Sequence, residues 1–225
     1  MTKPAGGTQT EAAYQQIKDE ILTGRLEPGK RLRINEIAAD LKISLGAVRE
    51  ALARLAAEEM AVATAQKGYT VPKVSVEDLA DITETRVLVE GECLENSIKH
   101  ADLDSETKLV AAYHRLANLP ERDPENRRVA NPAWLDAHSV FHEALVTNCM
   151  SPWLLRIRKM LFNQSERYRR LSVSLARTER DVNAEHKAIF DAVMAKDIPL
   201  ARKLMAEHIR RTTEILLSSD KLSQP

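Results

Sequence analysis

Residues 43 to 55, Ile43-Ser44-Leu45-Gly46-Ala47-Val48-Arg49-Glu50-Ala51-Leu52-Ala53-Arg54-Leu55, constrain the fold of this chain more than any other stretch. Ser44 is a strong helix N-cap, because its hydroxyl accepts one of the backbone N–H groups left unpaired at a helix start. Val48, Ala51, Leu52 and Leu55 then recur at helical spacing and make one apolar stripe. Leu45, Gly46, Arg49 and Ala53 fall on the opposite face, a thin surface of mostly small residues with one Arg. Upstream, Asn35 to Leu41 reads as a shorter helix, with Lys42-Ile43 as the turn between the two. Two helices joined by a tight turn, the second capped by Ser and carrying an Arg, match the helix-turn-helix pattern. An ordinary helical hairpin with solvated charges shares this periodicity, so the flanking sequence has to decide.

A polar tail over 1–9 precedes a helix expected to be capped at Thr10, lined by Tyr14, Ile17, Ile21 and Leu22 and closed by Gly24. Gly24-Arg25-Leu26-Glu27-Pro28-Gly29-Lys30-Arg31-Leu32 is a turn built on Pro-Gly. Behind the second helix, Ala61 to Ala65 and Tyr69 to Pro72 are short β-prone runs around Gln66-Lys67-Gly68. They predict a small hairpin, the wing of a winged helix, which would set Lys67 beside phosphates while the helix enters the major groove.

These residues resemble the GntR family of bacterial transcription regulators. The resemblance is carried by Gly24-Arg25-Leu26-Glu27-Pro28-Gly29, Leu32, Val48-Arg49-Glu50-Ala51-Leu52, Gly68 and Val71, and it spans most of residues 10–73. It implies a double-stranded DNA operator as partner, with Arg33, Asn35, Ser44, Leu45, Gly46, Arg49, Lys67 and Gly68 as the DNA-facing set. The family usually has Arg-Thr-Pro after the capping Ser, where this chain has Leu45-Gly46-Ala47. One Arg that often reaches DNA is therefore missing, and Arg49 becomes the best candidate for a base or phosphate contact.

The length of 225 residues suits one or two domains with a sizeable core. Formal net charge is zero, so no long-range field favours nucleic acid. Residues 1–74 hold 11 Lys and Arg against 9 Asp and Glu, so DNA binding must rest on a local patch of Arg25, Lys30, Arg31, Arg33, Arg49 and Lys67. No apolar run approaches the roughly 18 residues of a membrane span, and no signal peptide is visible. Cys93 and Cys149 lack metal or redox spacing and read as buried thiols of a cytoplasmic protein. Gly is scarce and strand-like alternation is confined to the wing, which makes the chain mainly α.

Pro72-Lys73-Val74 is the expected linker between a DNA-binding domain over 10–74 and a helical domain over 75–218, with a tail over 219–225. Ser75 with Asp78 three residues on predicts a capping box. Helices are expected from there to about His100, from Glu106 to Asn118, Ala133 to Thr147, Pro152 to about Ser174, Val182 to Ala195, and Pro199 to about Ser218, with a break near Arg177. An antiparallel bundle is their natural packing. His138 and His142 are four apart and share a helix face, while His186 and His208 sit singly on later helices. Each alone reads as an ordinary core or surface histidine. Together they form a workable cage for Zn²⁺, or for Ni²⁺ or a similar transition metal. His138-Ser139-Val140-Phe141-His142 lacks the Glu of a metalloprotease motif.

Phe141-His142, Glu185-His186 and Glu207-His208, with Arg86 and Glu90 upstream, resemble the FCD ligand-binding domain of the FadR-like GntR branch, over about residues 76–217. The resemblance implies that His142, His186 and His208 are metal ligands, joined in the family by an acidic residue one turn before the first His. His138 holds that place here. It lies about 40° around the helix from His142, whereas Asp136 lies about 240° away, so His138 is the better fourth ligand. Ser151-Pro152-Trp153-Leu154-Leu155 and Ser165 to Leu171 look most like the carbon-starvation-induced regulator subgroup. The expected function is a homodimeric repressor whose bundle binds a divalent metal and a small carboxylate, with a dicarboxylate among the candidates. Arg86 either takes that carboxylate or serves as structural partner of Glu90. A metal-dependent enzyme and a direct metal sensor are the alternatives that the same cage allows.

Overall fold

The computed structural model describes residues 8–64, 68–126, 130–173 and 180–217. The first unit is built on α1 (Gln9–Leu22), α2 (Ile34–Leu41) and α3 (Leu45–Ala57). Thr8, not Thr10, caps α1 by accepting the N–H of Glu11. Thr10 lies inside the first turn, and its hydroxyl donates to the Glu50 carboxylate of α3 at 2.9 Å. Gly24, at φ 73°, turns the chain out of α1. Between α2 and α3, Lys42 takes the left-handed conformation at φ 54° and gives its N–H to the carbonyls of Ala38 and Ala39. That single residue makes the tight turn. Ser44 caps α3 as expected, accepting the N–H of Ala47.

A strand the sequence did not suggest, β1 (Arg31–Leu32), lies where a turn was expected. It pairs antiparallel with β3 (Gly68–Thr70), which also pairs with β2 (Val62–Thr64), in the order β1-β3-β2. Two residues carry no periodicity of their own, and only the partner strand makes β1. The tip of the wing, including Lys67, lies outside the described residues. Ile17, Val48, Ala51, Leu52, Leu55 and Met60 are buried together under α1 and α3. Each large aliphatic side chain so buried contributes about 1.5–3 kcal/mol.

The second unit is a bundle of α4 (Val76–Lys99), α5 (Leu103–Ala117), α6 (Pro132–Ala144), α7 (Pro152–Val173), α8 (Val182–Met194) and α9 (Ile198–Leu217). It has its own apolar core around Leu94, Leu116, Phe141, Ile189 and Met205. Helix α5 starts three residues before the expected Glu106, because Asp102 and Ser105 form a reciprocal capping box there. Asn131 caps α6, with Pro132 at its first turn. Helix α6 ends at Ala144, earlier than the expected Thr147. The expected end near Ser174, the break near Arg177, residues 1–7 of the expected first tail, and Ser218 with the expected tail over 219–225 lie outside the described residues. Gln9, assigned to the tail, opens α1 instead.

Helix α4 lies between α7 and α9. Its Gly91 is where Arg202 of α9 crosses: a Cβ there would stand 3.3 Å from the Arg202 Nε. Without that Cβ, Arg202 reaches both Glu92 and Glu95. The buried hydroxyls of Thr83 and Thr213 meet at 2.7 Å further along the same seam. Helix α7 reaches both units. The Gln164 amide donates to the carbonyl of Glu58, the C-cap of α3, at 3.0 Å. Arg167 donates to the linker carbonyls of Pro72 and Lys73 at 2.8 and 3.3 Å. Cys93 and Cys149 are free and buried. Among the described residues no helix is long and apolar enough to cross a membrane.

Candidate metal centre and nucleic-acid interface

The histidines come from three helices. The i, i+4 spacing puts His138 and His142 on the inner face of α6, while α8 supplies His186 and α9 supplies His208. All four are buried, at 3, 1, 1 and 7 % exposure in that order. One ligand atom from each lies within 4.8 Å of all the others. Ring centroids are 4.4 Å apart for His138 and His142, 4.8 Å for His186 and His208, and 5.3 Å for His142 and His208. Asp136 is exposed and is not one of the cluster. Trp134, Phe141 and Phe162 stand around the rings as an apolar wall.

Two features decide what this cluster can hold. Both ring nitrogens of His142 are buried without a hydrogen-bond partner, a costly state for an imidazole unless something else uses the lone pair. Burial first, then the neighbouring imidazoles and the guanidinium groups of Arg86 and Arg158, holds His142 well below its ordinary pKa. It is therefore neutral, which is the ligand form of imidazole. Four imidazole nitrogens in one compact, dry cluster fit a borderline transition cation such as Zn²⁺, and not Mg²⁺ or Ca²⁺, which favour oxygen.

His208 differs from His142 in having its outer nitrogen engaged. Its Nδ1 lies 2.8 Å from the Glu185 carboxylate. Glu185 also accepts two hydrogen bonds from Arg180, at 2.9 and 2.6 Å, and one from Arg211 at 3.1 Å. Burial opposes its charge, but these partners outweigh that and keep its pKa far below the usual carboxylate range.

Beside the cage lies a buried ionic cluster only half anticipated. Glu90 of α4 is fully buried and faces two guanidinium groups. Arg158 of α7 binds its Oε2 at 2.7 Å, and Arg86 approaches Oε1 at 3.3 Å from both Nε and Nη2. Arg158 also donates to the backbone carbonyl of His142 at 2.7 Å, tying α7 to the helix that carries two cage residues. Arg86 is thus a partner of Glu90, as one of the two sequence readings held, but a loosely held one. Arg158 was missed. The signal for it was an Arg within the apolar stripe of α7, among Leu154, Leu155, Leu161 and Phe162.

In the first unit, Ser44, Leu45, Gly46 and Arg49 are exposed on one side of α3, opposite buried Val48, Ala51, Leu52 and Leu55. A Cβ on Gly46 would meet only the Ser44 hydroxyl, so this face stands open. Arg49 makes no ion pair among the described residues, whereas Arg54 is held by Glu11 at 2.9 Å. Asn35 is exposed on α2, and Arg33 pairs with Glu36 at 2.7 Å. Such an exposed pair is weak and leaves the Arg available. Gly68, at φ 86°, begins β3.

An open recognition helix with a wing, joined to a helical bundle that encloses a compact cluster of imidazoles, is the architecture of a DNA-binding regulator. The comparisons give the family. The signature of the bacterial regulatory proteins of the gntR family matches residues 9–71, and that of the FCD domain matches residues 81–211. The chain belongs to the GntR family of transcription regulators, in the branch that carries an FCD domain. It is 36% identical over 206 residues to the uncharacterized HTH-type transcriptional regulator BphR of Paraburkholderia xenovorans (strain LB400), covering 92% of this chain and 84% of that one. It is 30% identical over 200 residues to the HTH-type transcriptional repressor GlaR of Escherichia coli (strain K12), covering 87% and 90%. The fold also matches the structure of E. coli McbR/YncC, with a TM-score of 0.76 at 20% identity over 94% of this chain and 98% of that one. BphR and GlaR are named as a transcriptional regulator and a transcriptional repressor, which favours regulation over the enzyme alternative.

Proposed function

We propose that the chain is a cytoplasmic, homodimeric repressor that binds its operator through α3 and the wing and is controlled by a small carboxylate captured at a metal in the bundle. The observation that carries this reading is the buried cage of His138, His142, His186 and His208, with both nitrogens of His142 unpaired. Zn²⁺ suits four imidazoles best, with Ni²⁺ the next choice.

Imidazoles bring no charge, so a bound cation keeps its full +2 in an apolar surround. That charge is the largest local electrostatic term and draws an anion as an added ligand. Arg86 lies close enough to influence His142 and His208, and its long contacts to Glu90 leave it able to turn toward a second carboxylate. Capture at two ends would favour a short dicarboxylate over a monocarboxylate. Repression rather than activation draws on relatives such as GlaR, which are named repressors. Dimerisation fits the need to read two half-sites, and α7 offers an apolar face in Trp153, 69 % exposed, with Ile157 and Met160.

The test is operator binding by native and chelator-stripped protein, with and without C2 to C6 mono- and dicarboxylates. A carboxylate response that needs the metal is expected. A response that survives complete metal removal would overturn the metal-anchored mechanism. A response to metal alone would make the protein a direct metal sensor.

A further inference from the structure

The four cage residues are not equivalent. His142 has no hydrogen-bond partner on either ring nitrogen, so nothing in the protein selects which nitrogen carries its proton. His208 has its Nδ1 placed against two groups, the Glu185 carboxylate at 2.8 Å and the Arg180 Nη2 at 3.3 Å. Arg can only donate and an ionised carboxylate can only accept, so the two contacts ask for opposite forms of Nδ1. The shorter, charge-assisted contact decides: Nδ1 carries the hydrogen and donates it to Glu185. The Nε2 lone pair is then left for the cage.

From this geometry we infer that Glu185, braced by Arg180, is the positioning residue of the metal centre and commits His208 to ligation through Nε2. This rests on the metal-binding reading above and adds a fixed order within it, with His208 as the preset ligand. A carboxylate behind a ligating imidazole fixes its ring and raises its basicity, and losing such a partner typically costs 10–100-fold in metal affinity.

The brace is built from both sides. Arg180 precedes Asp181, the N-cap of α8, and holds Glu185 in the first turn of that helix. The same guanidinium donates to the His208 carbonyl at 3.1 Å and to the Thr212 hydroxyl at 2.9 Å, both on α9. Glu185 therefore holds His208 only when the start of α8 is seated on α9. An open groove of about 490 Å³ between these helices exposes Glu185, Arg211 and the outer edge of His208, so the brace faces solvent while the cage stays dry. Because Arg180 and Arg211 share the Glu185 charge, it offsets little of a bound cation's charge, and the centre remains attractive to an anion.

The experiment compares the full chain with E185A and E185Q, the latter keeping side-chain volume and one acceptor oxygen should E185A fold poorly. Zn²⁺ affinity is read by competition with a chromophoric chelator, and the His208 tautomer of metal-free protein by ¹⁵N chemical shifts. We expect the Nδ1–H form at His208 in the parent chain, its loss in E185A, and a 10–100-fold weaker Zn²⁺ affinity there, with a smaller loss in E185Q. Equal Zn²⁺ affinity in the parent and both variants, or an Nε2–H form at His208 in the parent, would overturn the inference while leaving the cage intact. A parent chain that binds no Zn²⁺ would instead overturn the metal-binding reading on which it stands.

Discussion

Tyr168 of α7 donates its hydroxyl hydrogen to the Asp78 carboxylate of α4 at 2.6 Å, and the same oxygen accepts the Ser75 N–H at 3.4 Å. Ser75 and Asp78 are the two ends of the capping box read from the sequence, and only half of that box forms directly. Ser75 accepts the Asp78 N–H at 3.0 Å, but the return bond runs through Tyr168. A residue 90 positions away thus completes a local motif. Gln164, one turn back on α7, holds Glu58, and Arg167, the preceding residue, holds the linker in the same way. Arg158, further back still, holds Glu90 and His142. One helix therefore touches the candidate metal centre at one end and the DNA-binding unit at the other, as a differential response between two states requires.

Tyr168→Phe keeps the ring in its buried place and deletes only the hydroxyl. Chemical denaturation should show a loss of about 1 kcal/mol, the worth of a typical hydrogen bond. The effector-induced change in operator affinity should shrink by more than that stability change accounts for. An unchanged effector response would confine Tyr168 to a structural role.

Arg158→Met should be far more damaging. It leaves the fully buried Glu90 with only the loose contact to Arg86. Breaking a buried pair from one side costs about 3–5 kcal/mol. The double variant Arg158→Met with Glu90→Gln should recover part of this, since the stranded charge is gone. Urea midpoints of the single and double variants measure it, and a double variant no better than the single would show that the ion pair is not the source of the loss.

His142→Ala should reduce bound transition metal by orders of magnitude from about one per chain, because one of the four imidazoles of the cage is lost. Far-UV circular dichroism should change little, as Leu94, Leu116, Ile189 and Met205 make a core that does not depend on the histidines. Elemental analysis of the purified variant decides, and full occupancy would remove the cage from the mechanism.

On DNA, Arg49→Ala should cost about 1–3 kcal/mol and relax base preference, because α3 offers this side chain free on its open face. Lys67→Ala should weaken binding evenly across sequences and lower the salt slope by about one, as for a phosphate contact. Binding isotherms over a salt series on selected and scrambled sites separate the two. Equal, sequence-independent losses would take base reading away from Arg49.

What the chain determines by itself is what neighbours in sequence can settle. Ser44 capping α3, the stripe of Val48, Ala51, Leu52 and Leu55, and the shared face of His138 and His142 all follow from helical geometry within a few residues. Tertiary structure decided the rest, because the partners are far apart along the chain and no local preference selects them. Arg31 and Leu32 become a strand only when Tyr69 and Thr70 lie beside them. Thr10 lies inside the first turn, and its hydroxyl goes to Glu50, 40 residues away on α3. His186 and His208 were legible as family-matched letters, yet whether they face His142 depends on how α8 and α9 pack. Arg158 and Tyr168 owe their roles wholly to α4, which presents Glu90 and Asp78 to α7 across a contact that burial, not propensity, holds together.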